Sequence, residues 1–374
     1  MSMETAVTRA WQRQAGWLWL LLPISWLYGL LILLRRQAYK VGLFSSYHAP
    51  IPVLVIGNIT VGGSGKTPLI MTLVNYLQQR SVQVGVISRG YGGDSSKMPV
   101  LVTTDSLPSD VGDEPYLIVS TTGVAMAVCP NRQQAIETLL QAHPNLQLII
   151  ADDGLQHYAL QRDIEWIVVD AARGFGSQQL LPTGFLREPI SRLKNATVIY
   201  HEKADEHLNL DSDSFLYKHL AMQLHPDSLQ PLYPELFKLT ELLDSQLNGS
   251  VQAAPPIHGS QVHAVSGIGY PQRFFATLNS LGFDVIEHPY PDHYDFSVNE
   301  LLQYTEQPII VTSKDAVKVR ALLLQATNSQ AQNTEWQELV SRLWVLPVTA
   351  ILSTNCYQTL QQQLIALGID IADK

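Results

Sequence analysis

PVLVIGNITVGGSGKTPLIMTLVNYL, residues 52–77, is the stretch on which the fold turns. It reads as an apolar β-strand over Val53–Ile56, a glycine-rich turn, and a helix near Pro68–Gln79 that opens at GKT, residues 65–67. Glycines let backbone N–H groups converge on phosphate oxygens, and the helix N-terminus adds its dipole. Gly62, Gly63, Ser64 and Gly65 are therefore candidate phosphate contacts, while Lys66 reaches the terminal phosphates and Thr67 offers a hydroxyl to magnesium. The strict pattern GxxxxGK[ST] requires glycine where Thr60 stands. A plain strand-to-helix turn is the competing reading; the strand before and the helix after favour the phosphate loop.

Outward from that stretch, short β-rich runs alternate with helical ones: strands Gln83–Ile87, Val124–Val128, Leu146–Ala151 and Ile164–Val169, and a helix over Asn131–Ala142. Such alternation predicts a parallel sheet covered by helices. A second series follows: Val262–Ser266, a helix Pro271–Leu281, Asp284–Glu287, Pro308–Val311, a helix from Lys314, and Leu343–Leu346. The expected fold is α/β: a phosphate-loop parallel-sheet domain over 46–203, a variable connection over 204–259, and a smaller α/β domain over 260–374. Residues 1–45 are expected to form an apolar, membrane-associated segment.

LQLIIADDGLQH, residues 146–157, ends an apolar strand in two acids. Ligand sites in such sheets lie beyond the carboxyl ends of strands, so Asp152 or Asp153 is a candidate to hold magnesium, directly or through water. VGDEP (111–115) puts Asp113 and Glu114 ahead of an apolar helical stretch, and YPDHYDF (290–296) puts Asp292 and His293 in an aromatic turn. Phosphoryl transfer to an alcohol needs a base or orienting acceptor, which an Asp with a His can supply. On residue chemistry alone, Asp113 is as well read as a helix N-cap and His293 as a satisfied turn histidine. SRGYGG (88–93) reads as a structural turn with Arg89 available to a phosphate; PTGFLREP (182–189) offers Arg187 and Glu188, and TSKDAVK (312–318) offers Lys314 and Asp315.

The chain of 374 residues is 46% apolar and 15% charged, which excludes wholesale disorder. Its only cysteines, Cys129 and Cys356, exclude a disulfide scaffold. The net charge of −9 disfavours nucleic acid, but residues 1–40 carry +4, leaving −13 for the rest. Residues 14–34 are 21 residues without a charge. As a helix they extend roughly 31 Å, close to a bilayer core of about 30 Å. Pro23 is expected to remove one helix donor in the middle of this run, a defect that membrane helices tolerate, while Trp17, Trp19, Trp26 and Tyr28 suit a headgroup interface, and Arg35, Arg36 and Lys40 follow as anchors. A helical hairpin buried in the protein is the alternative. A cleaved signal peptide is disfavoured, since RRQAYK follows the apolar run in place of small residues.

Taken in order, the apolar segment, GNITVGGSGKTP (57–68), SRGYGG, VGDEP, DDGLQH (152–157), PTGFLREP, YPDHYDF and TSKDAVK resemble the tetraacyldisaccharide 4'-kinases, the membrane-associated lipid A 4'-kinases of Gram-negative bacteria. That family's own phosphate loop has the form GNxTxGGxGKTP, which accommodates Thr60. The resemblance implies transfer of the ATP γ-phosphate to the 4'-hydroxyl of tetraacyldisaccharide 1-phosphate, giving lipid IVA, with Mg2+ required. It implies catalytic roles for Lys66, Asp153, Asp113 as base or acceptor, and His293 as its partner, with Thr67, Asp152 and Asp153 at the metal. Arg89, Arg132, Gln156, His157, Glu188 and Asp292 are implied substrate contacts. The resemblance places the chain at the inner membrane with its catalytic domains on the cytoplasmic face, the lipid A disaccharide precursor and membrane lipids as its partners, and no obligate protein partner. Two departures stand out: Ser313 where an acid is expected, which leaves Lys314 without its local partner, and Tyr294 where a second histidine is common.

The rival class is a membrane-tethered ATPase or GTPase switch. Guanine specificity calls for NKxD, and SKDA (313–316) has the wrong spacing. A substrate with four acyl chains favours the kinase: each buried CH2 contributes about 0.8 kcal/mol, so the enzyme must come to the lipid surface.

Overall fold

The computed structural model describes residues 7, 10, 11, 13–202, 219–233, 255–330 and 334–371. Two compact units emerge: Met1–Ser106 with Asp110–His225 and Ala350–Lys374, and Leu107–Ser109 with Pro226–Thr349.

The first unit is built on β1 (Val53–Gly57), β2 (Val84–Ser88), β3 (Val100–Val102), β4 (Ala125–Val128), β5 (Leu148–Asp152), β6 (Ile164–Asp170), β7 (Thr197–Glu202) and β8 (His219–Pro226). With a later strand, Val348–Leu352, they form a nine-stranded sheet whose order is that strand, then β8-β7-β6-β1-β5-β2-β4-β3. From β8 through β7, β6, β1, β5 and β2 to β4 the strands run parallel to one another, and β3 pairs antiparallel with β4. Both faces are buried, because alternate side chains of one strand feed different cores. Leu54, Ile56, Leu148 and Ile150 join Leu69, Leu73 and Leu77 of the Lys66–Gln79 helix, whereas Val53, Val55, Ile149 and Ala151 join Ile136 and Leu139 of the Arg132–Ala142 helix. β1 is the switch point: β5 and β2 lie on one side of it, β6 and β7 on the other, so a crevice opens at its carboxyl end.

The sequence reading runs the smaller domain to residue 374, but the chain after 349 packs with the first unit. Cys356, Leu360 and Leu364 of the Thr354–Ala366 helix enter the core beneath β1, Tyr357 stacks on Tyr76 at 4.5 Å, and Gln363 accepts from Trp166 Nε1 at 2.8 Å. β7, β8 and this last helix are absent from the sequence reading, and β8 falls in the stretch read as a variable connection, of which residues 204–218 and 234–254 lie outside the described residues.

In the second unit, β9 (Gln230–Pro231), β10 (Gln261–Ser266), β11 (Asp284–Pro289), β12 (Ile309–Thr312) and β13 (Leu343–Leu346) are ordered β11-β10-β12-β13-β9, parallel except for β9. Phe274, Phe275 and Leu278 of the Pro271–Ser280 helix pack on one face, and Val319, Leu323, Trp336 and Leu339 on the other.

The amino-terminal apolar run forms a 3-10 turn, Gly16–Leu21, leading into a helix, Leu22–Lys40. Pro23 therefore sits in the first turn of that helix, where its missing N–H has no intrahelical partner to lose, and not in a helix interior. Nor is the run a buried hairpin: Trp26 is 68% exposed, and Leu27 and Leu31 are each 57% exposed.

Candidate active site

The phosphate loop joins β1 to the Lys66–Gln79 helix through backbone that only glycine adopts readily. Gly65 has φ of 91°, and a Cβ there would meet Met222 Cε at 2.6 Å and His201 Nδ1 at 3.0 Å. His201 donates from Nδ1 to the Ser64 carbonyl at 3.1 Å, fixing the loop from below. Thr60 stands where the strict pattern wants glycine because its backbone is strapped: Thr60 bridges to Leu186, and Val61 N donates to Phe185 O at 2.9 Å. Asn58, two residues before Thr60, donates to the Gly62 carbonyl at 3.2 Å and accepts from Lys66 Nζ at 3.3 Å. The Ser64 hydroxyl is buried with no hydrogen-bond partner.

Asp152 closes β5 opposite Ile56 of β1, and Asp153 follows with φ of 45°. That left-handed residue sends the two carboxylates into different surroundings. Asp152 accepts from Ser88 Oγ at 3.0 Å through Oδ2, while its buried Oδ1 has no partner. Burial, with the carboxylates of Glu114 and Asp153, pushes Asp152 up to about 7. For Asp153, burial is outweighed by Lys66 at 3.4 Å and Arg187 at 3.0 Å, which hold it at about 2. A buried carboxylate oxygen without a donor, beside further negative charge, suits a divalent cation. Among the described residues no cluster of three or more His, Cys, Asp or Glu is arranged around a metal. Magnesium fits such a site better than zinc does, since it takes one or two carboxylates and completes its shell with phosphate and water.

The expected substrate contacts divide into two groups. Arg132 is buried, donating to the backbone carbonyls of Cys129 and Asp152 at 3.1 Å each, and so clamps the ends of β4 and β5 together. Glu188 is also buried: it accepts from Gln156 Nε2 and Tyr158 Oη, each at 2.8 Å, and from Arg192 Nε at 3.1 Å. Gln156 donates in addition to the Asn58 carbonyl at 3.1 Å. These three hold the walls of the crevice. Arg89, by contrast, is exposed just past β2, and His157 is half-buried. Burial and then Arg132 push His157 down to about 4, which keeps its ring neutral at neutral pH.

Asp113 is the first residue of the Asp113–Thr122 helix, buried, with Gly112 at the cap position; the N-cap reading therefore does not apply. A Cβ on Gly112, whose φ is 94°, would meet Tyr91 O at 2.5 Å, so the SRGYGG and GDEP loops lie backbone to backbone. In the second unit, His293 has φ of 59° in the turn after β11. Its N–H donates to Gly267 O at 3.0 Å, and Lys314 Nζ donates to its Nε2 at 3.1 Å and to Asp292 at 3.3 Å. Asp292 and His293 thus serve Lys314 in place of an acid at 313. Because an ammonium can only donate, the His293 proton sits on Nδ1. Asp113 and His293 belong to different units.

Sequence reasoning had no role for Asn58, Ser88 or Glu114 and gave Arg187 none beyond its place in PTGFLREP. Their signal was present only as position inside motifs: Asn58 in GNIT, Ser88 at the head of SRGYGG, Glu114 in GDEP.

A sequence profile of the tetraacyldisaccharide-1-P 4'-kinase family matches residues 17–365. A protein of Psychrobacter cryohalolentis named tetraacyldisaccharide 4'-kinase is 69% identical over 100% of this chain and 99% of its own. One of Psychrobacter arcticus with the same name is 67% identical over 100% of this chain and 98% of its own. The fold is similar to a crystal structure described as an "apo" form of LpxK from Aquifex aeolicus in complex with ATP, with a TM-score of 0.67 and 24% identity over 93% of this chain and 98% of that one.

Proposed function

Because the chain belongs to the tetraacyldisaccharide-1-P 4'-kinase family, and so acts in lipid A biosynthesis, we propose that the crevice at the end of β1 holds ATP and that Asp113 and His293 serve the acceptor hydroxyl. The observation that carries this is the opposed pair of carboxylates, one neutralised by Lys66 and Arg187 and the other buried with an oxygen that lacks a donor.

In this reading the loop N–H groups from Gly62 to Gly65 and the Ser64 hydroxyl cradle the β- and γ-phosphates. Lys66 leaves Asp153 to follow the transferring phosphoryl group, and Arg187 keeps Asp153 ionised and oriented while it does so. Asp152 and the Thr67 hydroxyl would hold Mg2+, Asp153 acting through its waters. When bound, that cation would neutralise charge on the phosphate oxygens. Asp113 accepts or orients the proton of the 4'-hydroxyl as its oxygen attacks the γ-phosphorus and the bond to the β-phosphate oxygen breaks. His293, aimed by Lys314, is the partner assigned to Asp113, and Asp292 fixes that lysine. Arg89 and His157 face the sugar and its phosphate, with Arg132, Gln156 and Glu188 behind them.

The helix Leu22–Lys40 supports attachment to the inner membrane, with both catalytic units on the cytoplasmic face where ATP is found. Its outward residues are Ile24, Trp26 and leucines, and Arg35, Arg36 and Lys40 follow them.

The test is phosphate transfer from γ-labelled ATP with Mg2+, with and without tetraacyldisaccharide 1-phosphate in mixed micelles, for wild type and Asp113→Ala. Labelled lipid from wild type and a loss of at least about a hundredfold in Asp113→Ala are expected. Free phosphate released equally with and without lipid would replace the kinase by an ATPase switch.

A further inference from the structure

The helix Leu22–Lys40 has its polarity inverted. Ser25 is 2% exposed and faces the protein with Tyr28 and Gly29 at helical spacing, whereas the leucines and Trp26 face outward. The inward stripe grips one segment, residues 180–188. Ser25 Oγ donates to Leu180 O at 3.0 Å or Thr183 Oγ1 at 2.8 Å, and accepts from Thr183 N at 3.0 Å. A Cβ on Gly29 would meet Leu180 Cδ1 at 2.9 Å, so the contact is close. Tyr28 Oη donates to the Arg187 carbonyl at 3.2 Å.

The other edge of the same segment is tied to the phosphate loop. Arg187 N donates to Ile59 O at 2.7 Å, and Thr60 bridges to Leu186. Between these two attachments the Arg187 side chain projects to Asp153, 3.0 Å away, and Asp153 meets Lys66 at 3.4 Å. A continuous set of contacts therefore runs from the outward-apolar helix to the phosphate-loop lysine within one unit.

We propose that Tyr28 is a positioning residue for Arg187: through its hydrogen bond to the Arg187 carbonyl, the amino-terminal helix sets where the guanidinium meets Asp153. This rests on the assignment of Lys66 and Asp153 to the reaction. It makes the rate of transfer depend on how the helix is seated, separately from whether the protein reaches its lipid. Arg187 has no spare freedom at its backbone, held by Ile59 on one side and Tyr28 on the other, so loss of either tether lets its side chain sample positions that leave Lys66 as the sole cation on Asp153.

The experiment is a cycle of four full-length proteins, wild type, Tyr28→Phe, Arg187→Ala and the double variant, assayed for transfer from γ-labelled ATP to tetraacyldisaccharide 1-phosphate. Tyr28→Phe keeps the ring and removes one hydroxyl. It is expected to lower kcat about three- to tenfold with KM for ATP within about twofold and unchanged flotation with anionic vesicles. Because Arg187→Ala keeps the carbonyl that Tyr28 binds but removes the guanidinium, Tyr28→Phe should change kcat by less than about twofold in that background. Equal factors in both backgrounds, no effect in wild type, or a loss that tracks flotation would overturn the proposal. Those outcomes are distinguishable from failure of the underlying reading, which would appear as Arg187→Ala and Asp153→Asn both retaining wild-type transfer. Ser25→Ala, at the other contact of the helix with the same segment, provides a second variant with the same expected direction.

Discussion

Asp152 and Asp153 are consecutive, yet the first keeps a buried oxygen without a donor while the second is bracketed by two cations, Lys66 at 3.4 Å and Arg187 at 3.0 Å. Their isosteric amides should therefore fail differently. Asp152→Asn is expected to raise the Mg2+ concentration for half-maximal transfer at least about tenfold. Asp153→Asn should lower kcat with a smaller change in Mg2+ requirement. Magnesium titrations of the two variants make the comparison, and equal shifts in both would remove the distinction drawn between them.

Asp315 gives the second unit a pH dependence of known sign. It accepts from Thr312 Oγ1 at 2.7 Å and Gly267 N at 3.1 Å, but burial prevails over these bonds and pushes it from 3.8 up to about 6. The folded state thus binds a proton that the unfolded chain has already released. The associated stability is complete below 3.8 and is lost as pH rises through about 6, on the order of 2–3 kcal/mol in all. Asp315→Asn should flatten this slope and be relatively more stable above pH 6 than below pH 4. Urea unfolding across that range measures it; parallel curves for the two proteins would refute the assignment.

The chain after 349 is predicted to be structural for the first unit. Leu360 is fully buried in the core that includes Leu54 and Ile56. Leu360→Ala should cost about 2–5 kcal/mol by urea unfolding. A loss below about 1 kcal/mol would contradict the packing of the final helix.

Leu27 and Leu31 lie one turn apart on the outward face of the amino-terminal helix, each 57% exposed. Replacing both with glutamate adds charge where lipid is expected and leaves Ser25, Tyr28 and Gly29, which meet residues 180–188, in place. Vesicle flotation should fall severalfold at an unchanged melting temperature. Unaltered flotation would mean that this face does not meet the membrane.

How much of this was legible in the linear chain depends on whether a group acts through its neighbours in sequence. Lys66 and Thr67 were readable because a strand, a glycine turn and a helix start are local events, and their combination has few other uses. The exposed amino-terminal helix was readable for the same reason, since 21 uncharged residues state their length directly. Pro23 was misjudged because the position at which a helix begins depends on the turn before it.

Sequence alone determined the residue types at the phosphate loop, the alternation that makes a parallel sheet, and the apolar length of the first helix. Tertiary structure decided which of two adjacent aspartates is neutralised, that Arg132 and Glu188 are buried in the crevice walls, that Lys314 finds its partners at 292 and 293, and that the last helix returns to the first core. The reason is the same throughout: ionisation and hydrogen bonding are fixed by burial and by partners tens to hundreds of residues away, and only the folded chain brings those partners within a few ångströms.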